Sequence, residues 1–409
     1  FTNEELYDWM VGELSAVHFQ SYRLAWDAAR RAERAFQFEL GDEAGSFLQA
    51  GAWDSLRKGL LAGEKLQHDL RRMEMAYLDK NRREFEITRH ISLAQLDPIE
   101  LIRLRETGAC TIDLPEGLFD RDYPGHYFRR IKTVSITIPC VTGQYTGLNA
   151  TLSLGANSIR RQHIVGSPLT TATDTAESIV TSGGQNDSGL FEANLHDERY
   201  LPFEGKGAIS KWHLEINPAT NAFDLATISD VILHLRYTAS YGGDQFKADV
   251  TTALAASSPP TALVLVDPRA QFPDAWYRFL HPAAEQTDAV LTLPLAKDQL
   301  PFLPGSDPLV ITQVDVLWKW SALAGGAGDL SLTIAAPVVS DPGTPVTISL
   351  TPGASIGGLG HAVAPDPSGG LPLIASSGTW TLNAAPNDLA TWPDMLDGLW
   401  LLLTMTRGA

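Results

Sequence analysis

The feature that most constrains the fold is a long amphipathic segment near the start of the chain. Residues 5–40 contain no proline and one glycine, and apolar side chains recur there every three or four residues. This spacing predicts one continuous α-helix, and Asn3 is a suitable cap for its first turn. At 1.5 Å per residue the helix would extend roughly 55 Å. It is too long for a small globule, so we expect it to lie against other helices.

A second long helix is predicted after a break in this pattern. Residues 41–52, "GDEAGSFLQAGA", interrupt the periodicity, which returns from about Trp53 to His90. The end of this stretch is dense in charged residues, which indicates a surface that meets solvent or a partner subunit. We therefore expect residues 1–106 to form a hairpin of long antiparallel helices.

Beyond Gly108 the pattern becomes that of β-strands. Short segments rich in β-branched residues are bounded by Pro, Gly and Asn. We expect residues 107–240 to form an antiparallel β-sandwich. Short strands return from Ala262 and predict a second sandwich-like domain within residues 241–409. The predicted fold class is therefore α+β, with helices and sheets segregated along the chain.

The strand pattern is clearest in the segment "IKTVSITIP", residues 131–139. Because side chains alternate between the two faces of a strand, Ile131, Thr133, Ser135 and Thr137 are expected to face one way. Most of the apolar residues between them then face the other way. This alternation predicts a strand with one face on a core and one in solvent.

The two predicted β domains resemble one another. Residues 201–238 and 371–406 each contain Leu-Pro, a Gly/Ser-rich turn, a Trp-bearing strand, the tetrapeptide Asp-Leu-Ala-Thr and a final apolar strand. Upstream, Pro124 and Val134 are spaced as Pro304 and Val314 are. These matches predict two domains of one topology and a possible duplication. A chance match of short β patterns is the alternative interpretation.

A polar segment at residues 186–207, "NDSGLFEANLHDERYLPFEGKG", is the strongest candidate for a functional site. Its Asn-Asp-Ser-Gly start favours a tight turn, so we interpret the segment as a turn that belongs to the scaffold of a β domain. A cation site at Asp187, Asp197 and Glu198 is an alternative, although the spacing is not that of a calcium loop. Glycosidase carboxylates are another.

The remaining chemical signals are weak. The sequence contains neither His-Glu-x-x-His nor Gly-x-Ser-x-Gly, so we predict no catalytic residues, no metal site and no cofactor. Trp318, Trp320 and Trp380 are candidates for binding a glycan or a partner, with core packing as the alternative. Cys110 and Cys140 are too few for a four-cysteine zinc site. They form either one disulfide or two free thiols.

The charge and the hydropathy pattern exclude two classes of partner. The net charge of −17 disfavours nucleic acid, because phosphate binding depends on Lys and Arg. No apolar run reaches the roughly 18 residues that a membrane helix needs. The first residue is Phe1 rather than Met, which suggests that the chain is cut from a longer protein. Any membrane-inserting segment would then lie outside these residues.

Long stretches of the sequence resemble one protein family. Residues 1–42 and 51–96 resemble the C-terminal helical part of the TcA subunit of bacterial Tc toxins, the insecticidal toxin complexes. Residues 118–152, "LFDRDYPGHYFRRIKTVSITIPCVTGQYTGLNATL", and 186–216 resemble the TcB-binding domain of that subunit. The resemblance covers about residues 1–240 and is specific, because several long strings match in order.

The resemblance implies a non-enzymatic role in a secreted or cell-surface toxin complex. In that family five TcA chains form a homopentamer with a central helical channel, and residues 1–106 would belong to its upper part. The β domain at residues 107–240 would dock the TcB–TcC cocoon, whose toxic fragment then passes through the pore-forming channel. The resemblance implies in addition that the polar segment at residues 186–207 is a partner-binding platform, whose predicted residues are Asn186, Asp187, Ser188, Asp197, Glu198, Arg199, Tyr200, Phe203 and Glu204. The membrane-inserting and receptor-binding regions of the family are absent from these residues, so this chain alone is not expected to form a pore.

The chain departs from the family after residue 240. A typical TcA ends near that point, whereas this sequence continues to Ala409. Three roles are open for the added domain: decorating the docking platform, binding a receptor or glycan, or accommodating an unusual TcB. The rival hypothesis for the whole chain is a glycan-binding adhesin or glycosidase-type protein of two β-sandwiches. A third is a monomeric fragment that binds nothing until five copies assemble.

Overall fold

The computed structural model describes most of the chain up to Leu295 and shorter segments after it. It divides into two compact units, Phe1–Phe85 and Glu86–Ala409, and contains both helices and antiparallel sheets, which confirms the α+β class. The described residues are 2–41, 45–56, 58–143, 146–173, 178–180, 201–256, 261–283, 289–295, 309–321, 332–336, 346–349, 351–352, 355–356, 358–364, 371–372, 378–384 and 392–407.

Two helices make up most of the first unit. Helix α1 spans Asn3–Leu40 and helix α2 spans Ala62–Lys80. A capping box at Thr2 and Glu5 satisfies backbone N–H groups at the start of α1. Gly41, with a φ of 68°, ends α1 in the left-handed conformation that glycine adopts without a steric penalty. None of the described helices is both long enough and apolar enough to cross a membrane.

The chain between the two helices runs back along α1. Near the end of α1, the Glu33 carboxylate accepts hydrogen bonds from the backbone N–H groups of Phe47 and Leu48, at 2.6 and 3.1 Å. Closer to the start of α1, the ring of Trp53 lies 4.9 Å from the ring of Phe19. The connecting segment therefore travels antiparallel to α1 before α2 begins.

Helix α2 then runs in the same direction as α1. Ala29 and Leu66 share one buried cluster, and further along both helices the Tyr77 hydroxyl donates a 3.1 Å hydrogen bond to Glu39. The contacts thus advance in the same sense along both helices. The predicted antiparallel hairpin is wrong, because the extended segment, and not the second helix, makes the return.

The second helix is also shorter than predicted. It ends at Lys80, and Phe85–Ser92 form strand β1 where the helix was expected to continue to His90. Ile87 and Ile91 of this strand are buried, with exposed residues between them. The strand belongs to a sheet with residues 232–241, and this distant pairing overrides the local helical spacing. The first compact unit therefore ends at Phe85 and not at residue 106.

The second unit contains two β bodies, of which the first comprises residues 86–256. It has two sheets, ordered β1-β8-β3 and β2-β7-β4-β5, and β6 also pairs with β4. Apart from β1, its strands are β2 Ala109–Leu114, β3 His126–Thr137, β4 Thr151–Ile159, β5 Thr170–Thr173, β6 Ser178–Val180, β7 Ile209–Glu215 and β8 Ile232–Tyr241. Its helices are α3 Leu93–Leu96, α4 Pro98–Thr107, α5 Glu116–Asp122 and α6 Asp244–Ala256, with a 3₁₀ turn at Leu225–Thr227.

Both sheets of the first body contribute to one apolar core. Trp212 of β7 and Tyr237 of β8 are fully buried in it, with Phe119 of α5 edge-on to Tyr237 at 5.3 Å. On β3 the predicted alternation holds for Thr133 and the residues after it. Ile131 was placed on the wrong face, because the register with β8 shifts between Ile131 and Thr133 and turns Ile131 into the core.

The second β body comprises residues 262–407. Its sheets are ordered β10-β17-β12-β13 and β14-β15-β11-β18-β9, and β16 pairs with β11. Its strands are β9 Ala262–Val266, β10 Ala289–Leu295, β11 Leu309–Trp320, β12 Leu332–Ala336, β13 Val346–Ser349, β14 Thr351–Pro352, β15 Gly360–Ala364, β16 Leu371–Pro372, β17 Gly378–Ala384 and β18 Leu396–Arg407. Its helices are α7 Pro268–Gln271, α8 Pro273–Leu280 and α9 Trp392–Met395.

Seven strands of the first body have a counterpart in the strand order of the second, whereas β6, β14, β15 and β16 have none among the described strands. Strands β1-β8-β3 match β9-β18-β11, and β2-β7-β4-β5 match β10-β17-β12-β13, in the same chain order. The registers correspond as well. Val134 lies opposite Leu235 in the first body, and Val314 lies opposite Leu403 in the second. The internal sequence match aligns Val134 with Val314, and each of them lies opposite a leucine in the last strand of its body.

The second body packs against helix α4 of the first. Ile102 of α4 shares a small buried cluster with Leu317 of β11 and with Leu359. Beside it, Lys319 Nζ lies 2.5 Å from Glu106 Oε2. This side of the β9-β18-β11 sheet, which carries Leu317, is called the covered face below. It also holds a buried carboxylate, Asp315, that accepts hydrogen bonds from Gln313 and His361, each at 2.8 Å.

Candidate functional site

The first β body presents a polar sheet surface to solvent, called the open face below. It is the outer side of the β1-β8-β3 sheet and corresponds by strand order to the covered face of the second body. A hollow of about 670 Å³ lies on it. Its lining residues, which are all polar or charged, are Glu86, Thr88, His90, Thr133, Ser135, Thr137, His234 and Arg236.

Two histidines meet in the centre of the open face. The Nδ1 atoms of His90 and His234 are 2.5 Å apart, with the rings edge-on at 4.7 Å. The other nitrogen of His234, Nε2, lies 2.8 Å from Thr137 Oγ1. At this separation one Nδ1 must donate a proton and the other must accept it. The pair therefore holds at most one proton between its Nδ1 atoms, and two imidazolium rings would repel one another.

One carboxylate at the edge of the open face joins two cations. Glu86 accepts a 3.0 Å hydrogen bond from Lys132 Nζ and also pairs with Arg236. The hydrogen bond from Lys132 is the main cause of a lowered Glu86 pKa, and partial desolvation opposes it. Glu86 therefore stays ionised in mild acid, and its oxygens are occupied by cations of the chain itself.

Behind the open face, arginines fix helix α5 to the sheets. Arg129 Nη2 donates a 2.6 Å hydrogen bond to Asp120, and Arg160 donates two 2.6 Å hydrogen bonds to the two oxygens of Glu116. Burial raises the pKa of Asp120, and its charge contact with Arg129 opposes that shift. The hydrogen bond with Glu116 is the largest cause of a raised Arg160 pKa. These partly buried, charge-assisted hydrogen bonds hold α5 against the two sheets.

Arg160 also holds a loop that exposes apolar side chains. Its Nη1 donates hydrogen bonds to the carbonyl oxygens of Ile164 and Ser167, at 3.2 and 2.6 Å. The loop and the residues after it expose Ile164, Val165 and Leu169, called the apolar rim below. The edge strand β5 follows the rim and is exposed along its whole length. Exposed apolar residues on a rigid support are typical of protein-binding surfaces.

Most of the predicted platform lies outside the described residues. This applies to Asn186, Asp187, Ser188, Asp197, Glu198, Arg199 and Tyr200. Of the two that remain, Glu204 is exposed and Phe203 is buried. Phe203 packs edge-on against Trp212 at 4.9 Å. Its placement on a partner-binding surface is therefore wrong, because a tight turn with a φ of 68° at Phe203 directs the ring into the core.

The predicted aromatic candidates divide in a similar way. Trp318 is 1% exposed in the core of the second body, and its ring lies 6.5 Å from that of the partly buried Trp320. A platform for sugar stacking needs an exposed ring, so Trp318 fits the alternative of core packing. The backbone of Trp380 lies in β17 opposite Leu293, and its side chain is outside the described residues.

The cysteine alternatives and the metal question have structural answers within the described residues. Cys110 and Cys140 are free thiols, and burial raises the pKa of Cys110 to about 12. In the described segments no three His, Cys, Asp or Glu side chains are placed to hold a metal ion. The proposed cation ligands Asp187, Asp197 and Glu198 are not among those residues.

The open face and the apolar rim were not predicted from the sequence. The apolar period of α1 was expected to lie against other helices, and the structure leaves many apolar residues of this helix exposed. They include Leu6, Trp9, Leu14, Val17 and Leu24. An apolar stripe of this length is typical of a surface for self-association.

Comparisons with known proteins identify relatives of the first part of the chain. Residues 1–239 match the family described as "Tc toxin complex TcA C-terminal TcB-binding domain". Toxin subunit YenA2 of Yersinia entomophaga is 37% identical over 273 residues, which cover 62% of this chain and 20% of that protein. The chain therefore spans about a fifth of the length of this relative.

Two structures solved by cryo-electron microscopy are also similar. Morganella morganii TcdA4 is 27% identical with a TM-score of 0.41, over 59% of this chain and 11% of that one. Yersinia pseudotuberculosis TcaA-TcaB is 30% identical with a TM-score of 0.42, over 58% of this chain and 14% of that one. The family assignment rests on the sequence match over residues 1–239.

Proposed function

The chain belongs, through residues 1–239, to the family of TcA C-terminal TcB-binding domains, and from that premise we propose that it docks a TcB–TcC component of a bacterial toxin complex. The family match over those residues is the observation that carries the proposal. The role is non-enzymatic: the chain assembles with copies of itself and passes a toxic fragment from TcB–TcC into a channel. Its expected setting is a secreted or cell-surface toxin complex.

The docking surface that we propose lies at the β5–β6 edge of the first β body. Strands β5 and β6 both pair with β4, and the polar segment at residues 186–207 follows β6 in the chain. The apolar rim adjoins the same edge. Rim side chains would supply buried area in the complex, and the charged residues of the segment would supply specificity. Phe203 supports this surface from the core instead of contacting the partner.

The helical unit has the second role of bringing copies of the chain together. The exposed apolar residues of α1 would be covered by helices of neighbouring copies. Repeated contacts of this kind between identical chains generate closed rings. Five copies around a channel are what the resemblance to TcA implies. In that arrangement residues 1–106 would supply part of the channel wall.

We infer that the second β body arose by duplication of the first. The matching strand orders and registers support this origin. The organisation that we propose is thus a helical domain, a TcB-binding β body and an added β body of the same topology. The boundary between the first two lies near Phe85, where strand β1 begins.

The docking proposal is tested by binding to a purified TcB–TcC preparation. Replacing two exposed residues of the rim, Ile164→Asp with Val165→Asp, should raise the Kd at least about tenfold, because contacts of this kind carry most of the binding energy. The matched control is Val141→Asp. Val141 is also exposed, but it follows the C-terminal end of β3 and lies outside the rim. An unchanged Kd for the rim variant, or an equal loss for the control, would contradict the proposed docking surface.

The self-association proposal is tested by sedimentation equilibrium across concentration. Leu14→Glu with Val17→Glu should shift the chain to monomer, because the charges would face an apolar partner surface. Both residues are exposed in the isolated chain, so the fold should be retained and circular dichroism should be unchanged. A wild-type chain that remains monomeric at all concentrations would refute association through α1.

A further inference from the structure

The helices between the first two strands of each body correspond in detail. In the first body, Leu93–Leu96 form a four-residue helix and one residue later Pro98 begins α4. In the second body, Pro268–Gln271 form a four-residue helix and one residue later Pro273 begins α8. Counting from the two prolines therefore gives equivalent positions on α4 and α8.

The inward positions of the two helices behave alike. The fourth residues, Leu101 and Trp276, are buried in the cores of their own bodies. The fifth residues differ: Ile102 is 1% exposed and Tyr277 is 64% exposed. Ile102 is buried because the covered face of the second body packs on it. Tyr277 occupies the equivalent position on the second body, where the described residues leave most of its side chain exposed.

Tyr277 belongs to an aromatic pair on the outside of α8. Its ring stacks on His281, with the ring centroids 4.3 Å apart and an interplanar angle of 22°. His281 is equivalent in position to Glu106, which forms the ion pair with Lys319 at the interface between the bodies. The two positions that anchor α4 to a neighbouring β body are thus occupied on α8 by a phenol and an imidazole. Exposed aromatic residues with a polar end are enriched at binding hot spots.

The surface that would cover α8 is indicated by the same equivalence. Helix α4 is covered by the outer side of the β9-β18-β11 sheet, and the equivalent surface in the first body is the open face. Leu317 and Thr137 correspond in register, since they lie opposite Trp400 and Ile232. The part of the apolar socket for Ile102 that β11 and β18 form thus corresponds to a polar hollow containing Thr137 and the two histidines. Such a hollow suits a phenol better than an isoleucine.

A second copy of the chain is the partner that carries the complementary surface. Within the second unit the open face keeps its hollow while Tyr277 stays exposed, so the two surfaces of one chain do not meet. We propose that helix α8, through Tyr277 and His281, docks on the open face of the first β body of a second copy. This contact between two chains would be equivalent to the contact that α4 makes within one chain. It joins two different surfaces, so each copy can bind a further copy in the same way. It rests on the proposed duplication and on self-association.

Site-specific photocrosslinking in the full chain tests this inference. Tyr277 is replaced by p-benzoylphenylalanine in one isotope-labelled preparation, which is mixed with an unlabelled preparation before irradiation. The expected crosslinks join residue 277 to peptides of the open face, residues 86–92, 133–137 and 232–236, in the other isotope form. The matched control places the same probe at Tyr123, which is also exposed and lies in the first body. It should give no crosslinks to those peptides in the other isotope form, and any crosslinks to residues 86–92 should stay within one chain, because the neighbouring Asp122 pairs with Arg89.

A second measurement uses natural side chains. Tyr277→Ala and His234→Ala should each reduce the α8-dependent crosslinking, recorded with a probe at residue 281, at least fivefold. Tyr277 is mostly exposed, so Tyr277→Ala should keep the thermal unfolding profile. The inference would be overturned if the crosslinks formed only within one chain or only to other peptides. It would also be overturned if the crosslinking yield were unchanged in both variants. If the inference fails while the chain still associates through α1, the proposed function is retained. A chain that never associates would contradict both this inference and the self-association in the proposed function.

Discussion

The two β bodies have the same strand order and opposite uses for the same sheet surface. In the second body that surface carries Leu317 and Trp400 and is covered by helix α4. In the first body the equivalent positions are Thr137 and Ile232, and the surface is open and polar. The topology thus determines where such a sheet surface lies. Whether another element packs on the surface determines whether its side chains are apolar or polar.

The largest expected difference between the bodies is at the equivalent positions Leu317 and Thr137. Leu317→Ala should lower the free energy of unfolding by about 3–5 kcal/mol, because it removes a fully buried side chain and leaves a cavity. Thr137→Ala should cost about 1 kcal/mol, since it mainly removes the hydrogen bond with His234. Urea unfolding followed by fluorescence measures both. Equal losses of unfolding free energy at the two positions would contradict the difference between a covered and an open surface.

The second prediction concerns the two equivalent helices. Ile102→Ala should weaken the contact between the bodies by about 2–3 kcal/mol, because Ile102 is buried by the second body. Amides of β9 and β18 should then exchange faster with deuterium. Tyr277→Ala, at the equivalent position of α8, should change the stability of the single chain by less than about 0.5 kcal/mol. Faster exchange of β9 in the Tyr277 variant would show that the two helices are not equivalent.

Much of the fold could be predicted from residue patterns. The period of α1, the alternation after Thr133 on β3 and the internal sequence match each reflect a local rule that the structure obeys. The internal match aligns Val134 with Val314, and each of these residues lies opposite a leucine in the last strand of its body. Repeated spacing of this kind can be read without knowledge of the tertiary contacts.

The errors arose where contacts distant in sequence decide the outcome. Strand β1 has helical spacing but pairs within a sheet, and the return of the chain between α1 and α2 depends on hydrogen bonds to Glu33. Phe203 reads as a loop residue, yet the turn directs its ring against Trp212. The open face could not be predicted, because its residues come from three strands that are far apart in the sequence.

The third prediction sharpens the description of the open face through its charged edge. The Glu86 pKa is lowered in the folded protein, chiefly by the hydrogen bond from Lys132. The resulting stabilisation is present above the unfolded pKa of a glutamate and is lost as the pH falls through the lowered folded value. Glu86→Gln should therefore show a smaller fall in stability between pH 6 and pH 3 than the unchanged chain. Thermal melts across that range make the measurement, and an identical pH dependence would contradict the assigned ion pair.

The smallest expected effect compares the two thiols of the first body. The Cys110 pKa is raised to about 12 by burial, so almost no thiolate forms at pH 8 and a disulfide reagent should not modify it until the body unfolds. The Cys140 pKa is also raised by burial, but this thiol is only partly buried. It should react slowly in the folded chain. Rapid modification of Cys110 under native conditions would show that the core around β2 opens readily.

The central claim is that the first β body, and not the second, carries the proposed TcB-docking surface. Hydrogen exchange of the chain with and without a TcB–TcC preparation tests it most directly. The account predicts protection at the apolar rim, β5, β6 and residues 181–204, with little change in residues 262–407. Protection confined to residues 262–407, or binding without protection in the first body, would contradict it.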